Sequence, residues 1–174
     1  MQQFEEKLLC ISDKVNDWLK FAEAKNGALL VFSGAAITAI LSFLGSSYHI
    51  LPNWKTGLCA GIVLLSISCL LSILSFIPRT KIFFKHRGAP VDTDNFYFYG
   101  NLSKYSPQQL IKAISNHYYD DNNNELTRSN IDLAAQIVIN SGIAVDKFHF
   151  FKVSVWVVLA SLVSIPLVSL FMLL

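Results

Sequence analysis

Apolar residues near the start of the chain recur in alternating steps of four and three: Phe4, Leu8, Ile11, Val15, Trp18 and Ala22. This spacing predicts one helix with a single 3.5-residue seam, which either packs on its own domain or pairs with a second copy as a short coiled coil. Ser12, Asp13, Lys14, Asn16 and Asp17 fall on its wet side, and no Pro or Gly interrupts it before Gly27. The helix is therefore expected to run straight into the segment that follows. That segment is uncharged. Residues 26–54, 56–78 and 153–174 contain no Asp, Glu, Lys or Arg, and each stretch exceeds the about 20 residues a helix needs to cross a bilayer.

Between the second and third apolar runs the texture changes. Gly88-Ala89-Pro90 reads as a turn, and Asn95-Phe96-Tyr97-Phe98-Tyr99-Gly100 as a short aromatic strand or extended segment. Ser106-Pro107-Gln108-Gln109 carries an N-cap Ser, a Pro at the first helical position and a Gln at the capping-box position. A helix is predicted from about 107 to 119, with Leu110, Ile111, Ile114 and Tyr118 on one face. Asp120 to Asn124 is a solvated loop. From Glu125 onward Ile131, Ala135, Val138, Gly142, Val145 and His149 repeat the four-three spacing, so a last helix is expected to enter the third span unbroken. The predicted fold is an all-α membrane protein with three transmembrane helices and a small, mostly helical cytosolic domain, with one short extended aromatic segment. Its expected domains are an amphipathic helix at 1–26, spans at 27–46, 56–78 and 153–174, an external hairpin at 47–55, and a cytosolic sensing and stalk region at 79–152.

Composition agrees with membrane embedding: 53% of residues are apolar and 15% charged, and mean hydropathy is +0.45. Disordered, collagen-like, disulfide-stapled and free-cytosolic readings are excluded. The net charge of +2, from 14 basic and 12 acidic residues, is too balanced for a nucleic-acid binder. Distribution of charge says more. Four Lys precede the first span, Lys55 sits alone in the hairpin, and nine Lys and Arg lie between residues 79 and 152. The positive-inside rule places the N-terminus and the 79–152 region in the cytoplasm of a multi-pass membrane protein. Acidic residues Glu5, Glu6, Asp13, Asp17 and Glu23 in the leader mark the first run as a retained span and not a cleaved signal.

Candidate chemistry is sparse. Cys10, Cys59 and Cys69 form no CxxC pair, and His49, His86, His117 and His149 are isolated, so neither a disulfide framework nor a metal site is expected. Without a GxSxG elbow, P-loop or GxGxxG motif, no catalytic residue is assigned and no cofactor is called for. Arg79, Lys81, Lys85 and Arg87 flank the second span as a topological stop that also attracts anionic head groups. Small residues form stripes at Gly34 and Thr38 in the first span, at Gly57, Gly61, Ser68, Ser72 and Ser75 in the second, and at Ser154, Ser161 and Ser164 in the third. Such stripes let helix backbones approach closely, and the Gly61 stripe is expected to support homo-oligomers. Pro166 predicts a kink. No ionisable side chain lies within a span, which argues against a proton relay or voltage sensor.

One polar layer stands out at the cytoplasmic end of the first span. Glu23, Lys25 and Asn26 sit on its last turn, and a neighbouring stalk helix would add Asp132, Gln136 and Lys147, with Tyr97 and Tyr99 as an aromatic wall. A cation, amides and an aromatic wall are what a flat, singly negative ligand requires. The alternative is a structural charge network.

The sequence resembles the Pycsar transmembrane effectors, a bacterial anti-phage family. The resemblance lies in Ala22-Glu23-Ala24-Lys25-Asn26 leading into an Ala-Leu-Leu span, in Asn95 to Gly100 followed by Lys104-Tyr105-Ser106-Pro107, and in Asp132-Leu133-Ala134-Ala135-Gln136-Ile137 with Ser141, Lys147 and Phe148 downstream. It implies a membrane effector paired with a pyrimidine nucleotide cyclase, which senses cyclic CMP or cyclic UMP and compromises the inner membrane in abortive infection. The competing expectation is a scaffolding membrane protein whose cytosolic domain docks a protein partner.

Overall fold

A computed structural model describes residues 2–77, 88–119 and 126–171. Five helices appear in it: α1 (Gln2–Leu44), α2 (Pro52–Phe76), α3 (Tyr99–Leu102), α4 (Pro107–Tyr118) and α5 (Arg128–Phe171). The chain is all-α, with no strand among the described residues. Three of the helices, α1, α2 and α5, are long and apolar enough to cross a membrane. The basic residues Arg79, Lys81, Lys85 and Arg87 lie outside the described residues, as does the Asp120 to Asn124 loop. Two compact units divide the chain, one holding Met1–Ala22 and Pro78–Phe148, the other Glu23–Ile77 and His149–Leu174.

In the first unit the α1 seam is the core. Phe4, Leu8, Ile11 and Val15 are buried in one cluster with Leu102, Leu110, Ile111, Ile114 and Ile137, and Ala22 is buried as well. Each fully buried Leu or Ile stabilises the unit by about 1.5–3 kcal/mol. The seam thus packs on its own unit, which answers the choice between intradomain packing and a coiled coil. Its wet side needs two corrections. Ser12 is buried, and Asn16 accepts a 3.2 Å hydrogen bond from the Asn140 amide, because α5 covers that flank.

α4 begins as the sequence predicts. Ser106 Oγ accepts from the Gln109 N–H at 3.3 Å, and Gln109 Oε1 accepts from the Ser106 N–H at 2.9 Å. Leu110, Ile111 and Ile114 are buried, whereas Tyr118 stays 39% exposed, beneath the Lys7 ammonium at 4.0 Å from its ring centroid. Of the predicted stripe, Val138 and Gly142 are buried and Ile131, Ala135 and Val145 half-buried, while the most covered flank of α5 runs through Asn130, Ala134, Ile137, Ser141 and Ala144. Two of its members are polar, so counting apolar residues missed it.

The aromatic segment is not extended. Asp94 accepts from the Val91 N–H at 3.0 Å, Asn95 Oδ1 accepts from the Tyr97 N–H at 2.8 Å, and the Phe98 N–H closes back on the Asn95 carbonyl at 3.1 Å. Short Asp and Asn side chains that capture nearby backbone N–H groups favour turns over strands. Two successive turns therefore lead directly into α3.

In the second unit α2 contributes the most packed surface. A third of its most apolar window, 33%, is buried within the chain, compared with 6% for α1 and 17% for α5. Gly57, Gly61, Leu65, Ser68, Ser72 and Ser75 are its buried residues. Ser33 Oγ of α1 donates to Ser68 Oγ at 3.4 Å, Ser68 Oγ donates to the Ser154 carbonyl at 3.3 Å, and Ser161 Oγ donates to the Gly61 carbonyl at 3.1 Å. The Gly61 stripe is consequently occupied by helices of the same chain. Gly34 and Thr38 do not join it: Thr38 bonds the Gly34 carbonyl of its own helix, and a Cβ added at Gly34 would meet nothing within 4 Å. α5 continues through Pro166 to Phe171.

Candidate functional site

The eight residues of the predicted polar layer separate between the units. Glu23, Lys25 and Asn26 belong to the second unit, and Tyr97, Tyr99, Asp132, Gln136 and Lys147 to the first. Within the first unit, the cleft between α4 and residues 90–105 is lined by none of the five, and Tyr97 borders a separate groove. Asp132 is exposed and paired with Arg128 one turn earlier at 3.2 Å; Gln136 is exposed and Lys147 is buried. Tyr99 stacks on Phe148 with centroids 4.8 Å apart and an interplanar angle of 16°. Trp18 packs against both, at 5.4 and 6.2 Å, and burial pushes the Tyr99 phenol above its ordinary value. Tyr97 accepts from Lys7 Nζ at 2.6 Å and borders a groove of about 450 Å³ in which Glu6, Asp13 and Asp17 outnumber Lys14.

The α4 cleft has the chemistry that the polar layer was expected to supply. It has a volume of about 460 Å³ and lies between α4 and residues 90–105, within the range of about 300–1,000 Å³ typical of small-molecule sites. α4 presents Gln109, Lys112, Ala113, Asn116 and His117 to it, spaced three, one, three and one apart, which is a second face of the helix beside its buried one. Phe96 and Tyr105 complete it from the opposite wall, and Pro90, Val91 and Asp92 form the rim.

That wall is fixed by a buried ion pair. Lys104 Nζ meets Asp94 Oδ1 at 2.6 Å, and the Asp94 side chain is only 2% exposed. Tyr105 donates to Asp94 Oδ2 at 3.1 Å, close to the Val91 carbonyl at 3.4 Å. Burial alone would raise the Asp94 carboxyl, but Lys104, the Val91 N–H and Tyr105 outweigh it and hold it below the ordinary carboxylate value. Burial and the Asp94 carboxylate push the Tyr105 phenol up to about 12. Phe96 packs on Tyr105 at 5.9 Å and edge-on to His117 at 5.5 Å. Lys112, Asn116 and Gln109 are exposed toward solvent. The 109, 112, 113, 116, 117 periodicity was present in the sequence, but it is amphiphilic rather than apolar, and a search for buried faces passes over it. Among the described residues no group of His, Cys, Asp and Glu is placed to hold a metal ion.

An all-α, multi-pass membrane protein with a ligand-sized cleft in its more polar unit is the class that these features define. A family model for the Pycsar effector protein domain matches residues 7–174, and the chain belongs to that family. Its role is that of a membrane effector in anti-phage defence. The chain is similar to the Pycsar effector protein RsPycTM of a Rhizobium species, at 27% identity over 137 residues that cover 78% of this chain and 77% of that protein. No solved structure matches.

Proposed function

We propose that the protein senses a cyclic pyrimidine nucleotide, cyclic CMP or cyclic UMP, through its first unit in the cytoplasm and responds by compromising the bacterial inner membrane, which ends the infected cell before phage mature. The observation that carries this reading is the pairing, in one chain of the Pycsar effector family, of a unit built from three span-length helices with a unit containing an open cleft of mixed aromatic, amide and cationic lining. A ligand that binds one arrangement of the helices better than another shifts their populations by its differential affinity, and a few kcal/mol turns a minor state into the major one. The spans contain no Asp, Glu, Lys or Arg, so the reading calls for rearranged packing and not for a charged relay. Copies of the chain would associate through the span of α1, whose surface is the least covered within the chain.

The test uses the full-length protein. Adding cyclic CMP or cyclic UMP to it in detergent should raise its unfolding midpoint, and the same nucleotide should release dye from vesicles that contain it. An unchanged midpoint with both nucleotides would leave the scaffolding alternative standing.

A further inference from the structure

We infer that the cleft between α4 and residues 90–105 is the nucleotide site, with Lys112 facing the cyclic phosphate, His117, backed by the buried Phe96 ring, lying against the base, and Asp92 reading the base edge so that cytosine is preferred to uracil. This rests on the sensing reading above and adds which residues hold the ligand and which ligand they favour.

A cyclic mononucleotide carries one negative charge at one end and a flat heterocycle at the other. The cleft has Lys112 on the α4 wall and Asp92 on the rim, so its lining is cationic on one side and acidic on another. An anion is drawn to the ammonium and repelled from the carboxylate, which sets the direction in which an elongated, singly charged ligand enters. The carboxylate is then left for the base. It is acceptor-only when ionised, and the exocyclic amino group of cytosine is a donor where uracil has a carbonyl acceptor. Facing uracil, the same carboxylate would meet a second acceptor. Asn116, one turn beyond Lys112, offers both a donor and an acceptor to the base or ribose and so serves either nucleotide.

Aromatic packing supplies the remaining contact. Phe96 is 4% exposed, and its ring is held by Tyr105 and His117. Tyr105 in turn is tied to Asp94, so the aromatic wall is rigid before any ligand arrives. A wall that loses no side-chain freedom on contact costs little entropy. The groove beside Tyr97, by contrast, is lined by Glu6, Asp13 and Asp17 against Lys14, with Lys7 engaged by the Tyr97 hydroxyl.

Calorimetry on the full-length protein in detergent, with cyclic CMP and cyclic UMP as probes, tests the assignment. Wild type should bind cyclic CMP at least tenfold more tightly than cyclic UMP. Lys112→Ala and Asn116→Ala should each weaken both by tenfold or more, and Asp92→Asn should narrow the preference. All three positions are exposed, so unliganded unfolding midpoints should match wild type, and Gln136→Ala should bind normally. Wild-type affinity in both Lys112→Ala and Asn116→Ala, or loss of binding in Gln136→Ala instead, would overturn the cleft as the site. A preference for cyclic UMP that Asp92→Asn leaves unchanged would overturn the role of Asp92. Binding of neither nucleotide by wild type would overturn the sensing reading itself, a result separable from the others because it requires no substitution.

Discussion

Asp94 is the single residue on which the cleft wall depends most. It joins the Val91 backbone, the Lys104 ammonium and the Tyr105 hydroxyl from a position with almost no access to water. Asp94→Asn removes the charge while keeping the shape, and it leaves Lys104 without its counter-ion. With Lys104 partly exposed, the expected loss is about 1–3 kcal/mol at neutral pH. The pH dependence has a definite sign. A carboxyl depressed in the folded state stabilises fully above its ordinary value of 3.8, and that contribution is lost as pH falls through the folded value. The Tyr105 contribution, from a phenol raised from 10.0 to about 12, is lost on the opposite side, as pH climbs through that window. Thermal unfolding from pH 3 to 7 should therefore show the Asp94→Asn protein less stable than wild type at pH 7, with the gap closing toward pH 3. Equal midpoints at pH 7 would show that the pair contributes nothing net.

Whole elements were legible in the sequence where apolar spacing or capping chemistry specified them. The α1 seam from Phe4 to Ala22 and the Ser106–Gln109 capping box needed no tertiary information, because a 3.5-residue repeat and an N-cap are local signals. Apolar spacing in α5 points to Val138 and Gly142, which are buried, but not to Asn130 and Ser141, whose burial comes from packing that hydropathy does not register. The Asn95–Gly100 segment was misassigned because aromatic residues favour strands only when a partner strand exists. Gln109, Lys112, Asn116 and His117 were visible as separate residues; that they face a wall made by residues 90–105 is a tertiary fact no local spacing encodes. At this scale the packing of α2 on α5 makes a further prediction. A Cβ added at Gly61 would lie 2.7 Å from Ile165 Cδ1, whereas one at Gly34 meets no atom within 4 Å. Gly61→Leu should destabilise the spans by about 1–3 kcal/mol through overpacking, and Gly34→Leu should leave the monomer's midpoint unchanged while reducing cross-linking between copies. Thermal unfolding and cross-linking in detergent separate the two, and a stable Gly61→Leu protein would sink the packing argument.

For the whole molecule, orientation is the property that charge counting predicts most sharply. Thirteen Lys and Arg fall on the flanks assigned to the cytoplasm, against Lys55 alone on the other side. A reporter fused after Leu174 should be active only outside the cytoplasm, and one inserted at Asn123 only inside. Cytoplasmic activity at Leu174 would mean that α5 does not cross.

The hydroxyl chain from Ser33 through Ser68 to the Ser154 carbonyl is neutral along its length. Were the helices to part along that seam, the gap would be lined by dipoles that can turn to face a cation or an anion alike. Solutes would then be sorted by radius and hydration instead of by sign, and the electrical and osmotic gradients of the cell would collapse together. On the proposed reading, spans without Asp, Glu, Lys or Arg would need no ion selectivity to compromise the membrane, only a wettable line.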